Sequence, residues 1–103
     1  QEENYQDIAN LPKVKLNVST KSIQKDGKWI LTTTLNNNTG TPALMVQLKV
    51  VGDKDKKRIL PVILSDSFIS IMPGEKRIIQ IELKNEDTRR DKPVVVAEGV
   101  NID

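Results

Sequence analysis

The chain has 103 residues, 16 basic and 14 acidic side chains, a formal net charge of +2, and neither histidine nor cysteine. That length corresponds to one small domain. The composition excludes a disulfide framework, a thiolate metal site, a cysteine nucleophile and any serine–histidine dyad. Lys54, Lys56, Lys57 and Arg58 alternate with Asp53 and Asp55, so they build no basic face and nucleic acid is not an expected partner. No apolar run approaches the roughly 20 residues of a membrane-spanning helix, so no membrane partner is expected either.

Gln1 to Asn10 is polar and aperiodic and Pro12 marks the entry to ordered structure, so 1–12 reads as a linker from a preceding domain and 13–103 as the folded unit. From Lys13 to Ser19 polarity alternates, with Val14, Leu16 and Val18 on one face, the period of a half-buried strand. Asp26-Gly27 is a hairpin signal, and beyond it Trp29, Leu31, Thr33 and Leu35 share a face. Asn36 to Pro42 is a turn cluster. A third strand over Ala43 to Val51 turns Leu44, Val46, Leu48 and Val50 inward. Arg58 to Ile63, interrupted by Pro61, suits an edge strand. Phe68 to Ile71 is a short strand, and Pro73-Gly74 a tight turn with Gly74 at positive φ. Glu75 to Leu83 places Ile79, Ile81 and Leu83 together, and Pro93 to Ile102 alternates Val94, Val96, Val100 and Ile102. Seven short strands with turn signals between them predict an all-β sandwich of immunoglobulin-like, fibronectin-III-like type, with a small barrel as the rival.

The chemistry on offer is confined to carboxylates. Glu75, Glu82 and Glu98 fall on or beside strands, and Asp66 sits in a turn where its side chain is expected to accept from nearby amides. A glycosidase pair needs two carboxylates in a concave site, which an isolated sandwich of this size seldom supplies. Asp53, Asp55 and Asp66 lack an EF-hand spacing and stand among lysines, so no metal is expected. No catalytic or cofactor-binding residue is expected. Tyr5, Trp29 and Phe68 are the only aromatic residues, with Trp29 and Phe68 in apolar phase and expected in the core, which leaves no platform for stacking sugars. Asn17-Val18-Ser19 and Asn37-Asn38-Thr39 match the N-glycosylation pattern.

The order of short motifs points further. It runs through Leu11-Pro12-Lys13-Val14-Lys15-Leu16, Asn36-Asn37-Asn38-Thr39-Gly40-Thr41-Pro42-Ala43, Ile59-Leu60-Pro61 and Ser65-Asp66-Ser67-Phe68. Met72-Pro73-Gly74-Glu75-Lys76-Arg77 and Val96-Ala97-Glu98-Gly99-Val100-Asn101 complete it. From Leu11 onward the chain resembles the C-terminal immunoglobulin-like domain of glycoside hydrolase family 2 enzymes, nearest the exo-β-D-glucosaminidase and β-mannosidase group. It departs from the family pattern at Leu64 and Val100, where tryptophans are usual, at Ser67 for asparagine and at Met72 for leucine.

The resemblance implies a non-catalytic accessory domain of a retaining exo-β-glycosidase of mannosidase, glucosaminidase or galactosidase type. The catalytic glutamates of such an enzyme lie on a barrel absent here. It also implies export with the parent, to the periplasm or outside. The expected partners are other domains of the same polypeptide, with Asp66, Phe68, Ile69, Ile71, Met72 and Glu75 as the contact segment. An independent carbohydrate-binding or adhesion module is the alternative, with carbohydrate as its partner.

Overall fold

The computed structural model describes residues 11–103, so most of the expected linker, with Tyr5, lies outside the described residues. Strands β1 (Asn17–Lys25) and β2 (Lys28–Asn36) form a hairpin closed by Asp26-Gly27. Both loop residues have positive φ, 53° and 75°, the conformation whose twist matches the flanking strands and which aspartate and glycine tolerate. β2 pairs antiparallel with β6 (Lys76–Lys84) over its whole length, and the two-residue β4 (Ile63–Leu64) lies on the far side of β6. The second sheet centres on β3 (Ala43–Gly52), between β5 (Phe68–Ile71) and β7 (Pro93–Glu98). A 3-10 turn, Asn85–Thr88, leads out of β6.

The sheet orders are therefore β1-β2-β6-β4 and β5-β3-β7. Non-consecutive neighbours in both show the chain crossing repeatedly between two layers, which is the immunoglobulin-like sandwich and not a closed barrel.

The core lies between the layers and follows the two-residue period. Leu31 and Leu35 of β2 and Ile79, Ile81 and Leu83 of β6 face Val46, Leu48 and Val50 of β3 and Ile71 of β5. Val14, Leu16 and Ile59 enter from outside the strands. Each such side chain contributes about 1.5–3 kcal/mol on burial.

Several expectations shift on the structure. The first strand begins at Asn17, and Val14 instead makes a parallel bridge to Ile102. Val14 and Leu16 are buried as expected, but Val18 is exposed, because β1 is an edge strand with all nine residues exposed. Its serines, Thr20 and lysines suit that position.

Arg58 to Ile63 is not a strand. Arg58 bridges to Val51, the Leu60–Pro61 bond is cis, and regular pairing is confined to Ile63–Leu64. A bulge puts Ala43, and not Leu44, in the core. The phase of β7 is reversed: Val95 and Ala97 pack on the core, while Val94 and Val96 lie opposite and Val100 is exposed. Trp29 only partly enters the core, its indole N–H donating to Asn85 Oδ1 at 2.9 Å.

Neighbouring positions of β6 allow a direct check. Ile81→Ala removes a fully buried side chain and should lower stability by about 2–5 kcal/mol. Ile78→Ala, on the outer face, should stay within about 0.5 kcal/mol. Urea midpoints of the two variants measure the difference.

Candidate functional site

The segment Asp66–Glu75 is divided by strand alternation. Ile71 is fully buried and Ile69, half-buried, packs against the core, so both side chains face the interior. Phe68 and Met72 stand outside at 57% and 45% exposure, which corrects the expectation of a buried Phe68. Phe68 points away from the core because it pairs with outward-facing Gln47. The Glu75 N–H donates to the Met72 carbonyl across Pro73-Gly74, with Gly74 at φ 79°, and Glu75 Oε1 accepts from the Met72 N–H at 2.8 Å. Glu75 thus fastens its own turn. Asp66 reaches the Arg77 guanidinium at 3.7 Å, rather than the neighbouring amides expected of it.

The bulge in β3 lies beside this segment. Ala43 pairs with Ile71 and Val46 with Ile69, so Leu44 and Met45 together oppose Ser70. Met45 takes φ 53°, a left-handed conformation costing roughly 1–2 kcal/mol for a residue with a Cβ. On the other side the Val100 N–H donates to the Leu44 carbonyl, and the chain there comes so close that a Cβ at Gly99 would meet that oxygen at 2.9 Å. Bulges of this kind re-aim a side chain, and here Met45 is turned outward at 53% exposure.

Two buried asparagines hold this end of the sandwich. Asn101 Oδ1 accepts from the Leu44 N–H at 2.9 Å, and its Nδ2 donates to the carbonyls of Pro42 and Pro12 at 2.8 and 3.2 Å. Asn37 Nδ2 donates to the carbonyls of Thr41 and Ile71 at 2.8 and 2.9 Å, while its Oδ1 accepts from the Thr39 N–H and hydroxyl. The Asn37 amide is fully buried, so the second N-glycosylation pattern is unusable in the folded chain. Sequence reasoning placed Asn37 in a turn and Asn101 in a strand, and no periodic signal distinguishes either from a solvent-facing residue.

At the opposite end Asp91 joins the 52–57 loop to β7. Its carboxylate accepts from the N–H groups of Lys54, Asp55 and Lys92 at 2.9 to 3.1 Å. The Asp55 amide does most to hold its carboxyl below the ordinary 3.8; desolvation opposes, and the Lys54 and Lys92 amides and the Lys54 charge assist. A Cβ at Gly52 would run into the Asp55 and Asp91 carboxylates.

Five other carboxylates pair with cations. Glu82 pairs with Lys28 at 3.4 Å, Glu98 with Lys49 at 2.7 Å, Asp55 with Arg89 at 3.2 Å, and Glu75 shares Arg77 with Asp66. The depression beside β4, about 280 Å³ and lined by Ile63, Leu64, Ser65, Gln80 and Glu82, carries one carboxylate where glycoside cleavage needs two. Among the described residues no three histidine, cysteine, aspartate or glutamate side chains group as metal ligands.

Fold and surface together define an immunoglobulin-like module built around packing and hydrogen bonding. The family model for the immunoglobulin-fold domain of exo-β-D-glucosaminidase matches residues 1–102, and the chain belongs to that family, an immunoglobulin-like domain of glycoside hydrolase family 2 enzymes. An exo-β-D-glucosaminidase of Amycolatopsis orientalis is 37% identical over 78 residues, covering 74% of this chain and 8% of the relative. The crystal structure of the exo-chitosanase CsxA of A. orientalis superposes with a TM-score of 0.86 at 31% identity, over 93% of this chain and 12% of that one. A structure describing inhibition of the exo-β-D-glucosaminidase CsxA by a glucosamine-configured castanospermine and an amino-australine analogue gives 0.85 at the same identity. The chain thus spans about a tenth of the length of the proteins it matches.

Two measurements examine the local chemistry. Asn101→Ala strands the Leu44 N–H and two carbonyls and should cost about 2–4 kcal/mol, far above a surface asparagine, as read by denaturant unfolding. Because the Asp91 pKa is lowered in the fold, its contribution to stability is complete above pH 3.8 and is lost as pH falls through the depressed folded value. The Lys54 and Asp55 amide shifts should therefore titrate with a midpoint below 3.8, and Asp91→Asn should abolish that titration in NMR spectra.

Proposed function

We propose that this chain is a non-catalytic accessory domain of a multidomain family 2 glycoside hydrolase, packing on and stabilising neighbouring domains of the same polypeptide. The observation that carries the reading is the family match combined with coverage of 8% of the curated relative, so that the matched enzyme has most of its chain elsewhere. Glucosaminidase relatives favour a parent that releases β-linked glucosamine, over the mannosidase and galactosidase types. The parent is a retaining exo-β-glycosidase exported to the periplasm or beyond, with its catalytic glutamates on a barrel outside these residues. Interdomain contacts of such modules cover about 600–1,500 Å² and stabilise by burying apolar surface.

Exposed Phe68 supports a second reading, a module that holds carbohydrate by stacking. It is the weaker one, because half-buried Trp29 lies on the other sheet and offers no second ring beside Phe68.

Recovery of the native protein from its source decides between them. The accessory reading expects a mass several times 11.6 kDa together with β-glucosaminide hydrolysis exceeding β-mannoside and β-galactoside hydrolysis. A mature product near 11.6 kDa that binds chitosan would overturn it in favour of the carbohydrate-binding module.

A further inference from the structure

We infer that the outer face of β5-β3-β7 around the Met45 bulge is the surface this domain turns toward a neighbouring domain of its own polypeptide. The inference rests on the accessory-domain reading and adds the face. Four side chains define it: Phe68, Met45, Met72 and Val100, at 57%, 53%, 45% and 44% exposure. The strand registers bring them together. Met45 bulges opposite Ser70 of β5, with Met72 two residues further along the same chain, and Val100 is bonded to the bulge from the β7 side. The next outward row is Phe68, Gln47 and Glu98.

The chain has only one phenylalanine and two methionines, and all three lie in this patch. Those residue types are enriched at interface centres, methionine because its unbranched thioether adapts to a partner's shape. Among the described residues nothing covers Met45, although a left-handed bulge is maintained to present it. Strain held in place by surrounding structure points to use at that position. The Lys49–Glu98 ion pair, with Lys49 opposite Val96 on the same face, supplies a polar rim.

The rival face, outside β1-β2-β6-β4, fits a partner less well. Ile23, Ile30 and Ile63 form a row there and Ile78 stands exposed opposite Thr34, but Glu82 interrupts the row, and Lys21, Lys25, Lys28 and Lys84 stand in the adjoining rows. Lysine and glutamate are depleted at interface centres, and lysines on an exposed sheet discourage pairing with other chains. The occupant is another domain of the same polypeptide because the matched proteins keep nine-tenths of their length outside this module. Of the six expected contact residues the face retains Phe68 and Met72, leaves out Asp66, Ile69, Ile71 and Glu75, and adds Met45 and Val100.

The two methionines make the test direct. The full-length native protein is treated with dilute hydrogen peroxide, and sulfoxide formation at Met45 and Met72 is followed by peptide mass spectrometry, with the denatured protein as reference. Docking should slow both by about tenfold or more relative to the denatured chain. Oxidation within about threefold of the denatured rate, in a long polypeptide with glycosidase activity, would overturn the face and leave the accessory reading standing. A native product of the size of this domain alone would remove the reading and the face together. Met45→Glu with Phe68→Glu in the full-length protein should lower its melting temperature, whereas Ile23→Glu with Ile78→Glu should not; the reverse pattern would assign docking to the other sheet.

Discussion

The structure depends on two asparagine side chains that join, at one end, segments the sheets alone leave apart. Asn37 binds the end of β2 to the end of β5 and to its own turn, and Asn101 binds the C-terminal residues to the start of β3 and to Pro12. A chain of 103 residues without cysteine has no covalent staple and only a modest core. Buried amides of this kind stabilise only when every donor and acceptor is matched. Here no buried side-chain polar atom among the described residues lacks a partner.

The same end carries the strained bulge, and the two features are mechanically linked. Asn101 accepts from the N–H of Leu44, the first residue of the bulged pair, and Val100, one residue before it, donates to the Leu44 carbonyl. Gly99 permits that approach because no Cβ intervenes. The asparagine thereby fixes the backbone from which Met45 projects, and Asn37 does the same for the Ile71 carbonyl immediately before Met72. A surface ordered before it meets its partner loses little entropy on docking. On the proposed docking face, this connects hydrogen bonds in the interior to a contact made on the outside.

The features legible in the sequence were those with a local cause. Asp26-Gly27 and Pro73-Gly74 specify their turns through φ alone, and Phe68–Ile71 and the inward residues of β2 and β6 follow from strict alternation. Alternation fails where two faces are apolar. In Val94-Val95-Val96-Ala97 either phase fits, and only the register with β3 selects Val95 and Ala97. It fails again at Leu44-Met45, where one inserted residue shifts the phase and nothing local announces it. The apolar phase of Phe68 predicts a core position, yet its place opposite Gln47 turns it to solvent. The asparagine clamps are illegible because the bonds that make them clamps, from Asn37 to Ile71 and from Asn101 to Leu44, Pro42 and Pro12, span 34 to 89 residues. The family, by contrast, was legible from the order of short motifs from Leu11 to Asn101, and the family match covers that span.

On the proposed reading, this module presents a preorganised face to the rest of a glycosidase. An experimental structure of the full-length polypeptide, with the area buried on each sheet measured residue by residue, tests it most directly. Met45, Phe68, Met72 and Val100 are expected at the centre of a contact of about 600–1,500 Å² with another domain, with the bulge unchanged and Ile23 and Ile78 in solvent. A structure in which the β5-β3-β7 face is free and the β1-β2-β6-β4 face is covered would contradict it.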